Sequence, residues 1–370
     1  MSDTAVIAWV LSVCTSLRQS QAKTLAALVA AAVQVGRVSL AALGRSMTGP
    51  ALCKHRIKRA WRFCANPRVT VADGMRGVIA RLSRRRGEPL LVALDWVEVR
   101  TFHTLMAAAV FGGRALPLLW ASYPEWELYK SQNNLEEGLL RLLRSLVPDR
   151  VEIIVLADRG FGRAELARTC LGLPNFHFLL RIKSDAGVRH PRYRGLLRDY
   201  PVRPGIGRVL RQAAYRLSDP VTLNVVIRWK KGLPADRDEC WFLITDLPGT
   251  AAALTTLFAR RTAVEELFRD DKSLRNGWAL RLTQLTKPRR FDRLLLVLAL
   301  AYWLLVGLGL LARLKYRPAF WCSTNREKGG RWQCSAFTIG RAVCARVGER
   351  PSAAFRACCT ATAMVTPKWG

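Results

Sequence analysis

The stretch Leu254–Arg275, LTTLFARRTAVEELFRDDKSLR, decides how the rest of the chain is read. It predicts one helix in which Arg261, Glu265 and Lys272 follow Phe258 at offsets of 3, 7 and 14. At about 100° per residue these four lie near 0°, −60°, −20° and −40° on the helical wheel, roughly in that order along the chain. An aromatic ring, two cations and a carboxylate therefore share one narrow stripe. Leu257, Val264 and Phe268 lie directly beside it, so the charged stripe borders the buried face. A carboxylate there needs a partner, because desolvating a lone charge is costly. Taken alone, the stripe is also what a solvated helix face looks like, so its meaning depends on what lies upstream.

Two aspartates lie there. Asp95 sits inside the apolar strand LLVALDWVEV, and Asp158 ends a second one, VEIIVLADRGFG. Asp158 with Arg159-Gly160 also suits a simple turn. Asp95 is harder to dismiss, since buried Asp is rare unless paired. Glu98 lies on the opposite strand face from Asp95 by odd spacing. Glu266, Asp270 and Asp271 neighbour Glu265, which is singled out by its place on the stripe. A strand carboxylate, a strand-end carboxylate and a helix carboxylate in a very basic chain point to metal-dependent phosphoryl transfer.

The basic balance is large: 59 Lys and Arg against 27 Asp and Glu, a net charge of +32. Such a surplus attracts a polyanion. The cations are mostly Arg, whose fork pairs with phosphate through two hydrogen bonds, which favours nucleic acid over an anionic membrane. Ten cysteines are scattered without a C-x-x-C pair, so a zinc site is not expected. The start, MSDTAVIAWVLSVC, carries Asp3 and lacks a basic leader. It reads as a packed helix of a cytoplasmic, nucleoid-associated protein with reduced thiols. Leu294–Ala312 is a run of 19 uncharged residues between Arg293 and Arg313. By length it could span a membrane. As a lone run directly after the charged helix, it is read instead as a buried core helix.

Residues 1–65 read as short helices: Val6–Leu17, Ala22–Val33, a turn of helix capped by Ser39, and Ala51–Cys64. In the last, Cys53, Ile57, Trp61 and Cys64 are expected to face the core, with Lys54, Lys58 and Arg62 as a basic stripe at i, i+4 and i+8. That spacing suits a helix offered to DNA, and equally a bundle with a solvated edge. Met75–Leu82 is another helix, and Ser83–Gly87 a basic linker. From Glu88 the pattern changes. Leu90–Val99, Phe102–Phe111 and Ala115–Ser122 predict an antiparallel meander turning at Gly112-Gly113. Leu135–Leu146 is a helix with acidic residues at its start. Val151–Ala157 is a continuous apolar run, as in a buried parallel strand, and ligands in such sheets sit at strand carboxyl ends. A helix (Arg163–Leu171) and a strand (Phe176–Arg181) follow. Residues 184–237 read as an inserted β-rich segment, and CWFLIT, Cys240–Thr245, as a return to the core. Lys287-Pro288-Arg289-Arg290 is a basic patch before the apolar helix, and Ala336–Val347 a helix in a basic C-terminal region.

The constellation resembles the DDE transposases of bacterial insertion sequences, in the group marked by Y-x2-R-x3-E-x6-K. Here that motif reads Phe258, Arg261, Glu265, Lys272; the family's D-x-G-F/Y is matched by Asp158, Gly160 and Phe161, and its first aspartate by Asp95. Phe258 departs from the family's tyrosine and lacks a hydroxyl donor to a DNA phosphate.

The resemblance implies an α/β fold: an RNase H-like mixed-sheet catalytic core (88–314, with the insertion at 184–237) between a helical DNA-binding domain (1–87) and a basic helical C-terminal region (315–370). It implies that Asp95, Asp158 and Glu265 hold two Mg²⁺ ions, with Mn²⁺ as a substitute, Asp95 bridging. Arg261 and Lys272 would grip phosphates. Related transposases stack a flipped base on a Trp before this helix, and Trp241 matches that place with a shorter spacer. The implied partner is double-stranded DNA, at element ends and target, bound by a homodimer in a synaptic complex and not at a membrane. Two other readings stand beside this one: an inactive relic or DNA-binding regulator using the N-terminal helices alone, and a membrane-anchored basic protein.

Overall fold

The structure is a computed structural model that describes residues 1–83, 87–111, 113–230, 240–274, 277–315, 334–344 and 350–360. Arg84–Arg86 of the basic linker, Gly112 of the expected turn, Arg275, residues 231–237 of the β-rich segment and much of 315–370 lie outside the described residues.

Five helices come first: α1 (Asp3–Val13), α2 (Gln19–Gln34), α3 (Leu40–Ser46), α4 (Cys53–Ala65) and α5 (Val71–Leu82). Side-chain caps set three of their starts. Ser2, Ser39 and Thr70 accept hydrogen bonds from the amides of Ala5, Ala42 and Asp73 at 3.3, 3.0 and 3.0 Å. The Thr70 cap explains why α5 begins at Val71 rather than at Met75: it supplies a partner to an amide the first turn leaves open.

The sheet begins with the meander β1 (Leu90–Val99), β2 (Phe102–Phe111) and β3 (Arg114–Pro124). A short turn of helix α6 (Glu125–Leu128) and α7 (Gln132–Leu146) lead to β4 (Ile153–Ala157), and α8 (Ala164–Leu171) leads to β5 (Phe176–Arg181). β4 lies parallel to both β1 and β5 and is buried throughout, as a continuous apolar run requires. Next come β6 (Gly187–His190), β7 (Tyr193–Leu196), β8 (Gly207–Tyr215), β9 (Val221–Arg228) and β10 (Trp241–Thr245). The order is β3-β2-β1-β4-β5-β10-β9-β8-β6-β7 in one mixed sheet. The β-rich segment is thus not set apart from the core sheet. It extends that sheet beyond β10 through antiparallel pairing of β10 with β9. This mixed sheet with helical flanks has the make-up of an RNase H-like DDE domain.

The stretch expected as one helix is two. α9 (Ala251–Ala259) is capped by Thr250, whose side chain accepts from Ala253 N at 3.2 Å. A 3-10 turn at Arg260–Thr262 follows, then α10 (Ala263–Lys272). The Thr262 hydroxyl donates back to Ala259 O at 2.9 Å, a local bond that competes with regular helix. Three residues at about 120° each, rather than 100°, rotate α10 by roughly 60° relative to α9.

α11 (Pro288–Lys315) contains the long apolar run, with a mean hydropathy of 2.6 over a window that is entirely buried inside the fold. It packs against β3, α2, α12 (Ala336–Cys344) and α13 (Pro351–Thr360). Two glycines permit this approach: a Cβ at Gly307 would lie 2.0 Å from Ala354 O, and one at Gly309 would lie 1.8 Å from Ala336 O. Cys14, Cys53, Cys64, Cys170, Cys334 and Cys344 are free thiols. Burial pushes those of Cys14 and Cys64 up to about 12.

Candidate active site at the carboxyl ends of two strands

β1 and β4 run side by side with Leu94 level with Ala157. The next residue on each is Asp95 and Asp158, so parallel register alone places two carboxylates together. Asp158 begins a 3-10 turn, Arg159–Phe161, which ends the strand. Successive side chains on β1 point to opposite faces. Trp96 meets α7 on one side, and Asp95 meets the α9–α10 junction on the other.

Glu265 is supplied from the first turn of α10. One guanidinium links all three acids: Arg261 lies 3.1 Å from Asp95, 3.7 Å from Asp158 and 2.8 Å from Glu265. The Arg261 side chain is only 9% exposed, whereas that of Glu265 is 53% exposed. The structure therefore brings Asp95, Asp158, Glu265 and Arg261 together, with Arg261 among the acids instead of displayed outward for a phosphate. Asp95 Oδ1 also accepts from the Trp96 amide at 2.9 Å. Burial pushes the Asp95 carboxyl up to about 6. Arg261 and the Trp96 amide pull it down, while Asp158 and Glu265 push it up.

Carboxylate oxygens are hard donors suited to Mg²⁺. Three acids share one guanidinium, so the cluster has negative charge to spare. Asp158 Oδ1 is buried without a hydrogen-bond partner, at 4.0 Å from Arg181. Donor type, charge and this orphaned oxygen fit a cation. Among the described residues, no three His, Cys, Asp or Glu side chains are spaced to hold an ion as they stand, because Arg261 lies among these three.

The acids next to Glu265 in sequence have other partners. Glu266 pairs with Arg269 at 2.7 Å and with Arg114 at 3.6 Å. Asp270 pairs with Arg114 at 3.2 Å and accepts from the Tyr302 hydroxyl at 2.9 Å. Asp271 is buried, and burial pushes its carboxyl up to about 8.

Phe258 is buried, and its ring meets Trp241 edge-on at 5.6 Å. Trp241 also has Lys230 and Arg181 over its ring, at 4.6 and 5.8 Å. The expected stacking platform is therefore already attended by two cations, one of which reaches towards Asp158. Lys272 follows Glu265 by two turns, ~10 Å along the axis, and sits near Glu98, Asp271 and Arg281. Its place is further along β1 than Asp95, beside Val97 and Val99.

In α4, Lys54, Lys58 and Arg62 are exposed. The expected apolar face is corrected: Ala60, Phe63 and Cys64 are buried, while Cys53 and Trp61 are exposed. Trp61 lies on the wheel only about 20° from Lys54, which puts it with the basic stripe.

Glu136 escaped the sequence reading, which took it for a helix-start acid. It is 1% exposed and accepts from Trp96 Nε1 at 2.7 Å, from Gln132 Nε2 at 3.2 Å and from Arg163. It ties the residue after Asp95 to the end of the turn that follows Asp158. The signal was present: Glu136 shares its helical face with Leu139, Leu140 and Leu143, a place where an acid needs a dedicated partner.

No curated protein matches the chain. Residues 86–304, more than half of its length, match the transposase DDE domain family, and the chain belongs to that family.

Proposed function

We propose that this transposase moves an insertion sequence by cut-and-paste. It binds the terminal inverted repeats through its N-terminal helices, cuts both strands and joins the freed ends to target DNA, acting in the cytoplasm at the nucleoid. The observation that carries the reading is the convergence of Asp95, Asp158 and Glu265 on one guanidinium at the carboxyl ends of β1 and β4. Asp95, Asp158 and Glu265 would hold two Mg²⁺ ions, with Mn²⁺ as a substitute, supplying activation of the attacking oxygen and charge stabilisation at the leaving oxygen.

The chain's own residues do the rest. Asp95, whose carboxyl is close enough to feel both other acids, would be the ligand the two ions share. Glu265, the most exposed of the three, is the one a substrate meets first. Arg261, held among the acids by both arms of its fork, sets their mutual placement. Phe258 packs against Trp241, whose ring lies under the Arg181 that reaches towards Asp158. Lys272 and Trp241 serve the strand on either side of the cut. Synapsis of two ends calls for a homodimer on DNA.

The test is cleavage of labelled element-end DNA with Mg²⁺ by the wild type and by Asp95→Ala, Asp158→Ala and Glu265→Ala. Loss of cleavage in each variant with DNA binding retained is expected. Unimpaired cleavage by any one of them overturns the assignment. Binding without cleavage by the wild type favours the regulator or relic reading, with Phe258→Tyr as the next variant to measure.

A further inference from the structure

The basic patch Lys287–Arg290 at the start of α11 has no part in the site described above, yet the fold gives it a specific neighbour. Arg290 lies over the ring of Trp61, with its guanidinium carbon 4.5 Å from the ring centroid. Trp61 is 48% exposed. It stands on the outer face of α4 with Lys54 and Lys58, in a helix whose sequence, CKHRIKRAWRFCA, contains no acid. Arg289 is next, with its side chain 61% exposed; it lies over the Tyr123 ring at 5.4 Å and 3.6 Å from Asp292. Lys287 is exposed beside it.

We propose that Trp61 and Lys287–Arg290 join the α4 stripe into one surface for the DNA backbone, running from the N-terminal helices onto the catalytic half of the chain. This rests on the reading that the protein acts on DNA, and extends it to residues outside the family motif.

Three observations carry the proposal. A large aromatic left half in water on a cationic face is a poor use of apolar surface unless a partner covers it. Each arginine is set over a ring, an arrangement that orders the side chain, and Arg289, though paired with Asp292, keeps most of its side chain in water where a phosphate can reach it. The cations come from two segments over 200 residues apart in sequence and meet at the Trp61–Arg290 contact. The occupant that suits such a surface is an extended polyanion. Duplex DNA offers one phosphate charge per ~1.7 Å of its axis.

The experiment is fluorescence anisotropy of the full-length protein with a labelled 30-base-pair duplex (~30 as the probe length, enough for several contacts) across a salt series. Arg289→Ala/Arg290→Ala is compared with Lys54→Ala/Lys58→Ala and with Trp61→Ala. The Arg pair is expected to flatten the slope of log affinity against log salt by about 1–2, since each lost phosphate contact removes about 0.9. At fixed salt it should weaken binding about tenfold or more. Trp61→Ala should produce a smaller shift in the same direction. A Lys pair that flattens the slope while the Arg pair leaves it unchanged overturns the proposal and spares the DNA reading. Absence of binding by the folded wild type overturns both. Should the Ala pair fail to fold, Arg289→Gln/Arg290→Gln is measured against Arg289→Lys/Arg290→Lys; equal slopes for Gln and Lys overturn the proposal, and restoration by Lys supports it.

Discussion

α10 carries acids at both ends, and the two ends are built differently. At its start, Glu265 shares Arg261 with Asp95 and Asp158, is half in solvent, and belongs to a group with more negative charge than its guanidinium can balance. At its finish, Asp270 is buried against Arg114, which also reaches Glu266, and accepts from the Tyr302 hydroxyl, and Asp271 is buried outright. Ten residues of one helix thus hold a cluster with capacity left over and a cluster without. Capacity left over is what chemistry needs; dedicated partners are what a core needs.

Substitutions can break this comparison. The largest effect belongs to the start of the helix. Glu265→Ala, Asp95→Ala or Asp158→Ala should lower end cleavage about a thousandfold or more, a loss of ~4 kcal/mol of transition-state stabilisation, with little change in melting temperature. Asp270→Asn should leave cleavage per folded molecule nearly intact. Single-turnover rates on soluble protein separate the two, and an Asp270→Asn protein that is folded but inert would put the boundary in the wrong place.

Next is the other end. Arg114→Ala strands Asp270 in the interior, and breaking a buried pair costs about 3–5 kcal/mol. The midpoint of urea unfolding should fall accordingly, and an unchanged midpoint would show that this pair is not what holds the helix down. Glu136→Ala comes third. Removing a partner that orients active-site residues commonly costs about 10–100-fold in activity or metal affinity. Manganese affinity and cleavage rate should fall together, while Glu136→Gln, which still accepts from Trp96, should recover part of the loss. Recovery of none would mean the Arg163 charge pair matters and the Trp96 bond does not.

The last substitution sharpens the account of Asp271. Its carboxyl is raised to about 8 in the fold against about 3.9 in the unfolded chain. Between those values the native state holds the extra proton, so stability falls as pH rises through the window and the loss is complete above the folded value. Asp271→Asn should therefore gain stability at pH 8.5 relative to wild type and gain little near pH 4. A shift of roughly 2–4 °C in melting temperature corresponds to about 1 kcal/mol. Thermal melts at both pH values decide it.

Much of this fold was legible in the residues because local rules set it. β1, β2 and β5 begin and end where the apolar runs do, bounded by turn residues such as Arg100, which adopts φ 58°. The continuous run before Asp158 announced a central parallel strand. What escaped were features decided between segments. Residues 184–237 read as an inserted β-rich segment; that β9 within it pairs with β10 depends on which strand edge is left open, and no local pattern records it. The wheel placed Phe258, Arg261, Glu265 and Lys272 on one stripe, but the 3-10 turn at Arg260–Thr262 rotates the later positions. An angle on a wheel also says nothing of what stands opposite, so Arg261 could be placed near acids only once β1 and β4 were in register. Trp61 was assigned inward by its character, yet it sits outward on the basic stripe, beside Arg290 from far along the chain.

The glycines at 307 and 309 have a consequence for how this protein is made. α11 is apolar on every side, and its inner flank is sealed by α12 and α13, whose carbonyls press against those two glycines. Those helices lie C-terminal to it, so a chain still being translated presents α11 to the cell with β3 and α2 made but α12 and α13 still to come. During that interval the segment has the length and hydropathy that insertion machinery recognises. Burial of this helix is therefore a race between completing α12 and α13, at roughly 5–20 residues per second, and capture at the bilayer. A stop codon after α11 would not yield a shortened enzyme; it would yield a chain whose most apolar helix has lost its lid.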